Sequence, residues 1–332
     1  MIDYNELVFA ILITSFVQIS LYFFVKFLSN RGIKSNYFAE QKIHEGEIPR
    51  VGGLLFLSSF FVTFIFIEIN YLKLILPLLI GSLIIFLFSF YEDLKQSLSP
   101  YFRLIILFIG SFVFVFFSTL PNINVSILQL IKDYEILKIL LFILSLMLLM
   151  NGFNFIDGLN GLSSFNFISI ISSILYVGYT YNDDFIVKLS TFVIVFAIFI
   201  FLLNFPFGKI FLGDSGSYSL GALYSFFLIY EYTTFQNIVF ADIILILALI
   251  PGVELVRLSI YRLLAGRNIF SGDLEHLHHL LINKFGQLKT NFIVSLMIII
   301  PISLMTIVKT NLHFIFLTSL LFYFMIIHFL KK

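Results

Sequence analysis

Asn151, Asn154, Asp157 and Asn160 stand at intervals of three in "NGFNFIDGLNG", directly after the apolar run "ILKILLFILSLMLLM". Polar groups at membrane depth are costly and mark function by default. Steps of three advance a helix by about 300°, so the four residues drift across one broad face. Gly158 and Gly161 permit close approach of a ligand or of a second helix. Helix packing is the competing account, because Asn and Gly also join membrane helices. An Asp without a partner joins helices poorly, which favours a site.

Other acids stand in comparable settings. "FLGDSGS" sets Asp214 between glycines where a helix begins. Asp214 or Ser215 would cap that helix, and its free N–H groups would also favour phosphate. In "YEDLKQSLSPYFR", Glu92 and Asp93 close another apolar run, either as a solvated helix end or as part of a shared site. Hard oxygens of this kind suit Mg²⁺, with Mn²⁺ as the substitute, held by one or two carboxylates and by substrate phosphates. The carboxylates exceed what one ion needs, which leaves Glu92, Asp93 and Asp157 as candidates for proton transfer. Lys95, Arg50 and the basic 257–267 segment can meet phosphate charge.

"HLHH" contributes His276, His278 and His279. Three imidazoles raise the question of zinc. Oxygen ligands dominate the other segments and no HExxH pattern is present, so hydrogen bonding to a sugar or phosphate is preferred. A helix facing water is the plain alternative. "PRVGG" reads as a tight turn in which Pro49 fixes the backbone and Gly52–Gly53 allow close approach.

The elements that must position these residues are membrane helices. The chain of 332 residues is 60% hydrophobic and only 12% charged, with a mean hydropathy of +1.05. Soluble domains run nearer ~45–50% apolar and ~25% charged. A net charge of +1 gives no ground for a nucleic-acid partner. Cysteine is absent, which excludes disulfides and thiolate metal sites. A span needs about 20 apolar residues. Such runs fall at 8–28, 52–69, 72–90, 102–119, 136–152, 165–181, 186–204, 217–233, 237–261, 291–308 and 312–330. The expected fold is an all-α polytopic membrane protein of about eleven helices, one domain over 1–332.

Asp3 and Glu6 precede the first run, and Lys26 and Arg31 follow it. That order suits an uncleaved first helix with its N-terminus outside, rather than a signal peptide. The same assignment sends 15 of the 20 Lys and Arg to the cytoplasmic side, with Lys73, Lys132, Lys138, Lys188 and Lys309 outside. This fits the positive-inside rule. It also puts segments 29–51, 91–103, 151–164, 204–217 and 262–290, with every motif above, on the cytoplasmic face, and the C-terminus with them.

"KIHEGEIPRVGG", "EDLK…LSP", "NGFNFIDGLNGL", "NFP…FLGDSGS" and "HLHHLL" occur in this order over about residues 42–281. In this the chain resembles the polyprenyl-phosphate N-acetylhexosamine-1-phosphate transferases, the superfamily that also holds phospho-N-acetylmuramoyl-pentapeptide transferase. The "HLHH" form is similar to the hexosamine branch. The resemblance implies a Mg²⁺-dependent reaction of undecaprenyl phosphate with a UDP-N-acetylhexosamine, at the bacterial inner membrane. It implies Asp214 as metal ligand and Glu92–Asp93 as the acidic pair that activates the lipid phosphate. It further implies Asn154, Asp157 and Asn204 beside the nucleotide, and the three histidines near sugar and diphosphate. The family usually carries Asp–Asp at Glu92–Asp93 and often a second Asp at Asn160. A homodimer is an option the family leaves open.

Two rival classes fit less well. A transporter would set its polar site near the bilayer midplane, often between inverted repeats. Here the charges gather at one face and no repeat is evident. A CDP-alcohol phosphotransferase would pack its aspartates into one segment, whereas these are spread over three.

Overall fold

The computed structural model describes residues 4–30, 50–65, 69–120, 134–206, 208–235, 241–268, 275–305 and 311–331. Most of segment 29–51 and residues 269–274 therefore lie outside the described residues. Among the described residues the chain is helical, with no strand and one isolated parallel bridge, Arg50 with Phe211.

In chain order the helices are α1 Tyr4–Asn30, α2 Gly52–Ile65, α3 Leu72–Lys95, α4 Pro100–Phe117, α5 Glu135–Ile156, α6 Leu162–Tyr181 and α7 Asp184–Asn204. They continue as α8 Gly213–Thr234, α9 Ala241–Leu247, α10 Leu249–Leu264, α11 Leu277–Phe285, α12 Gln287–Ser303 and α13 Leu312–Lys331. Each expected apolar run contains a helix. Among the described residues six helices are long and apolar enough to cross a bilayer, namely α3 to α7 and α13. The protein is accordingly a multi-pass membrane protein.

The run 237–261 is not one helix. α9 stops at Leu247 and α10 starts at Leu249. Pro251 accounts for the break. It lacks the N–H that would bond the Leu247 carbonyl, and its ring crowds that oxygen. The polar connectors are also shorter than the apolar pattern suggests. α5 extends to Ile156 and so carries Asn151 and Asn154, while α8 begins at Gly213 and so includes Asp214.

Local signals set the ends. The Ser99 hydroxyl accepts from Phe102 N at 3.2 Å, with Pro100 in the first turn of α4. Asp183 caps α7 by accepting from Ile186 N at 3.0 Å. α3 ends on Gln96 in the left-handed region, φ 50°.

α3 packs on α4 and α8, α5 on α8 and α10, and α6 on α7. Phe153, Phe167, Tyr224 and Phe227 fill the shared core. Large apolar side chains such as Phe16, Phe116, Leu144 and Leu321 face outward, as a lipid-facing surface requires. Because neighbours alternate in direction, the C-terminal ends of α3 and α5 meet the N-terminal ends of α4 and α8. That single end holds the polar motifs. At the far end, Tyr230 donates to Asp183 at 2.9 Å and Tyr71 stacks on Phe185.

Candidate active site

α8 begins with Gly213 in the left-handed region, φ +73°, where a Cβ would lie 2.7 Å from Asp93 Oδ2. The close approach has a purpose. Asp93 Oδ1 accepts from Asp214 N at 2.9 Å, and Oδ2 accepts from Ser215 N at 2.9 Å and Ser215 Oγ at 2.6 Å. α3 thus supplies the cap that α8 lacks in its own sequence. Asp93 is 2% exposed and turned toward that helix end. Arg50 Nη1 stands 3.9 Å from its Oδ1.

Asp214 points out of the first turn of α8 and stays partly accessible, its side chain 17% exposed. Asn154 Nδ2 donates to Asp214 Oδ1 at 3.0 Å and to Ser217 Oγ at 2.9 Å. Arg103 Nη1 donates to Asp214 Oδ2 at 3.1 Å. Arg103 Nη2 pairs with Glu92 Oε1 at 3.0 Å, while Glu92 Oε2 accepts from Leu98 N at 2.7 Å. One guanidinium fork therefore bridges the carboxylates of two helices. Ser89, Ile106 and Tyr218 line a small pocket with Glu92, Arg103 and Asp214.

Asp157 lies in the connector between α5 and α6, where Ser163 Oγ donates to its Oδ1 at 2.5 Å. Its carboxyl is pushed up to about 8, first by burial, then by Asp214 and Asp93, against Ser163 and Arg50. An unfolded chain would titrate it near 3.8. Between these values the folded protein holds a proton that the unfolded chain has lost, so stability falls as pH rises toward 8. Asp157→Asn mimics the protonated group. Melting temperatures followed in EDTA from about pH 5 to 9 are expected to decline in the parent and to flatten in the variant. Equal slopes would remove this assignment.

The three histidines form a second cluster beside the first. His276 and His278 rings stack at 5.3 Å, and His278 and His279 lie 4.3 Å apart. Phe155 of α5 meets His276 edge-on at 5.2 Å. A Cβ at Gly158 would lie 2.2 Å from His278 Nε2, so only glycine lets the cluster rest on the Asp157 connector. Burial first, then its two neighbours, holds His278 well below the usual imidazole range. It is neutral, with one ring nitrogen able to accept.

Other sequence candidates are placed differently. Asn204 is 5% exposed; its Oδ1 accepts from Gly161 N and its Nδ2 donates to Ile210 O at 2.8 Å. It clamps two connectors together. Removing it orphans a buried N–H and a carbonyl, so Asn204→Ala is expected to cost about 2 kcal/mol. A lowered melting temperature with little change in nucleotide affinity checks this; the reverse pattern would return Asn204 to the nucleotide. Asn151 Nδ2 bonds back to Met147 O at 2.8 Å. The Asn160 side chain is buried, and its carbonyl accepts from Asn291 at 3.0 Å. Lys95 is exposed in the last turn of α3. Arg257, expected to meet phosphate, is 8% exposed at its side chain and pairs with Glu254 at 3.0 Å. It is not available to an external anion.

The donors fit a hard divalent cation held largely by substrate. Among the described residues no three His, Asp or Glu side chains gather as a cage. Each Asp214 oxygen accepts one hydrogen bond and so keeps a lone pair. One accessible carboxylate beside paired acids is the donor set expected of Mg²⁺ completed by phosphates and water.

A glycosyl transferase family 4 model matches residues 75–232. Over that segment, just under half of its length, the chain is similar to glycosyl transferase family 4. The segment contains Glu92, Asp93, Arg103, Asn154, Asp157, Asn204 and Asp214, the whole first cluster except Arg50. The chain is also 36% identical over 95 residues to an undecaprenyl-phosphate alpha-N-acetylglucosaminyl 1-phosphate transferase of Thermotoga maritima. The aligned part is 27% of this chain and 30% of that protein. Three of the five motifs lie within the matched segment, and both likenesses point the same way as the motifs; segment 42–53 and the histidine motif lie outside the family match. Arg103 is the site residue the motifs left unassigned. Its signal was a lone basic residue in the first turn of an apolar helix, just after the acidic pair.

Proposed function

We propose that this chain transfers N-acetylhexosamine 1-phosphate from a UDP-sugar to undecaprenyl phosphate, releasing UMP, as the first membrane step of a cell-surface glycan. The observation that carries this reading is the Asp214 constellation of α3, α4, α5 and α8, in which Arg103 bridges Glu92 and Asp214, Asn154 bonds Asp214, and Asp93 accepts from the Asp214 N–H. Phosphoryl transfer asks mainly for positioning and charge neutralisation. The name of the Thermotoga relative supports the lipid acceptor and the sugar-phosphate group.

In the proposed reaction an oxygen of the lipid phosphate attacks the sugar-bearing phosphorus. The new P–O bond forms as the bond to UMP breaks, and UMP leaves with the electron pair. Asp214 would hold Mg²⁺, which supplies charge neutralisation to the diphosphate. Asn154 fixes the orientation of Asp214. Arg103 keeps Glu92 and Asp214 from repelling one another. Asp93, capping α8, positions Asp214. Its burial against that helix end favours direct displacement over a phospho-aspartate. Trapping a phospho-enzyme from UDP-sugar without lipid would overturn that preference. The Asp157 connector serves the nucleotide, and the histidine cluster serves sugar and diphosphate. Asp157→Ala, which removes both oxygens, is expected to lose most turnover while the protein still inserts; near-normal turnover would sink its role.

The proposal places eleven crossings in a bacterial inner membrane, N-terminus outside and site cytoplasmic. The 15 to 5 division of basic residues supports it. A long lipid tail then stays in hydrocarbon while its phosphate meets a water-soluble nucleotide.

The test uses purified protein in detergent with undecaprenyl phosphate and Mg²⁺. UDP-GlcNAc, UDP-GalNAc and UDP-N-acetylfucosamine are offered separately and UMP is followed. Lipid-dependent and Mg²⁺-dependent release with one donor supports the reading and names the sugar. No release from any donor by folded protein counts against it.

A further inference from the structure

We propose that Glu254, Arg257 and Tyr323 are positioning residues that hold the His276–His279 turn against the Asp157 connector, and so govern turnover without touching substrate. Its activity arm rests on the transferase reading above.

Glu254 and Arg257 lie one turn apart in α10, and Tyr323 reaches them from α13. Glu254 is 1% exposed and Tyr323 fully buried. Glu254 Oε1 accepts from Arg257 Nη2 at 3.0 Å and from Leu277 N at 2.8 Å. The Tyr323 hydroxyl donates to Glu254 Oε2 and accepts from Arg257 Nε at 2.7 Å. Arg257 Nη2 also donates to the Glu275 carbonyl at 2.7 Å. The network therefore grips the backbone on both sides of His276, at the Glu275 carbonyl and the Leu277 N–H. The His276 ring lies between these points, with Nδ1 3.6 Å from Glu254 Oε1.

What the grip positions is specific. His276 meets Phe155, and His278 seats on Gly158, one residue beyond Asp157. A shift of residues 275–277 would move both contacts. Stability alone does not explain the design, because a buried ion pair is often no better than a well-packed apolar trio. Fixed geometry does. The C-terminal helix thereby enters the site indirectly.

Tyr323→Phe removes one hydroxyl and keeps the volume; Glu254→Gln removes the charge. Two readouts separate anchoring from bulk stability. The first is kcat for UMP release, alone and in a His276→Ala/His278→Ala background. Each variant is expected to lose about tenfold alone, as for a buried partner left unsatisfied, and little more in the histidine-less background, because the effects pass through the same residues. The second is modification of the histidines by diethyl pyrocarbonate, followed by mass spectrometry. Rates are expected to rise about fivefold as the turn opens locally. Unchanged modification rates, or additive losses across the two backgrounds, overturn the proposal. If parent protein releases no UMP from any donor, the transferase reading fails and the modification rates alone decide the anchoring. If Glu254→Gln does not fold, Tyr323→Phe carries the test.

Discussion

Asp214→Asn is expected to reduce UMP release by about a thousandfold or more, within the range for removing a group that stabilises transferred charge. Asp214 sits in the first turn of α8, one carboxyl oxygen held by Asn154 and the other by Arg103. Asn at this position keeps the shape and one acceptor but loses the negative charge. The Arg103 fork then pairs with Glu92 alone, and the cation loses its proposed protein ligand. Folding should survive, since Asp93 bonds the backbone N–H of residue 214 rather than its side chain. The measurement is steady-state UMP release across a Mg²⁺ titration. A partial recovery at high Mg²⁺ is the signature of a weakened ion site. Parent-like activity at low Mg²⁺ would exclude Asp214 as ligand.

Arg103→Ala is expected to cost about a hundredfold to a thousandfold in kcat/KM. Its guanidinium joins Glu92 at 3.0 Å and Asp214 at 3.1 Å. Without it two acids face each other across the pocket, and the incoming phosphates add further negative charge. Arg103→Lys restores a positive charge but cannot span both carboxylates with one fork, so it should recover only part of the loss. The informative comparison is among parent, Lys and Ala. Equal losses in Lys and Ala would mean that geometry rules; full recovery in Lys would mean that charge alone suffices. Activity unchanged in Ala would remove Arg103 from the site.

Much of this architecture could be read from residue order, for an identifiable reason. Membrane spans are long and nearly uniform in character, so α3 to α7 declared themselves by length and apolarity. The acids at 92, 93, 157 and 214 were conspicuous against that background. Less legible was what each polar atom does. Asn204 looks like Asn154 in sequence, yet one bonds backbone in two connectors and the other orients Asp214. That difference depends on helix ends arriving from distant parts of the chain. The Asp93 cap is another such case, since hydropathy cannot reveal that α8 borrows its cap from α3. Glu254 and Arg257 stood in plain view inside an apolar run. Only Arg257 drew notice, within the basic 257–267 segment, because the partner Tyr323 lies 69 residues from Glu254.

The Asp93 cap also bears on how the protein is made. Its partner at 214 is 121 residues later in the chain, roughly 6–24 s of synthesis. During that interval α3 must sit in the bilayer with its acids lacking α8. Placing them at 92 and 93, at the end of a helix that stops at Lys95, leaves them within reach of interfacial water. An acid at the centre of a newborn span would instead add about 2.5–3.5 kcal/mol to insertion. Glu254 lies within α10 and follows the other course, emerging with Arg257 only three residues behind it. Biogenesis thus separates Glu92 and Asp93, which wait at the membrane surface, from Glu254, which enters already accompanied.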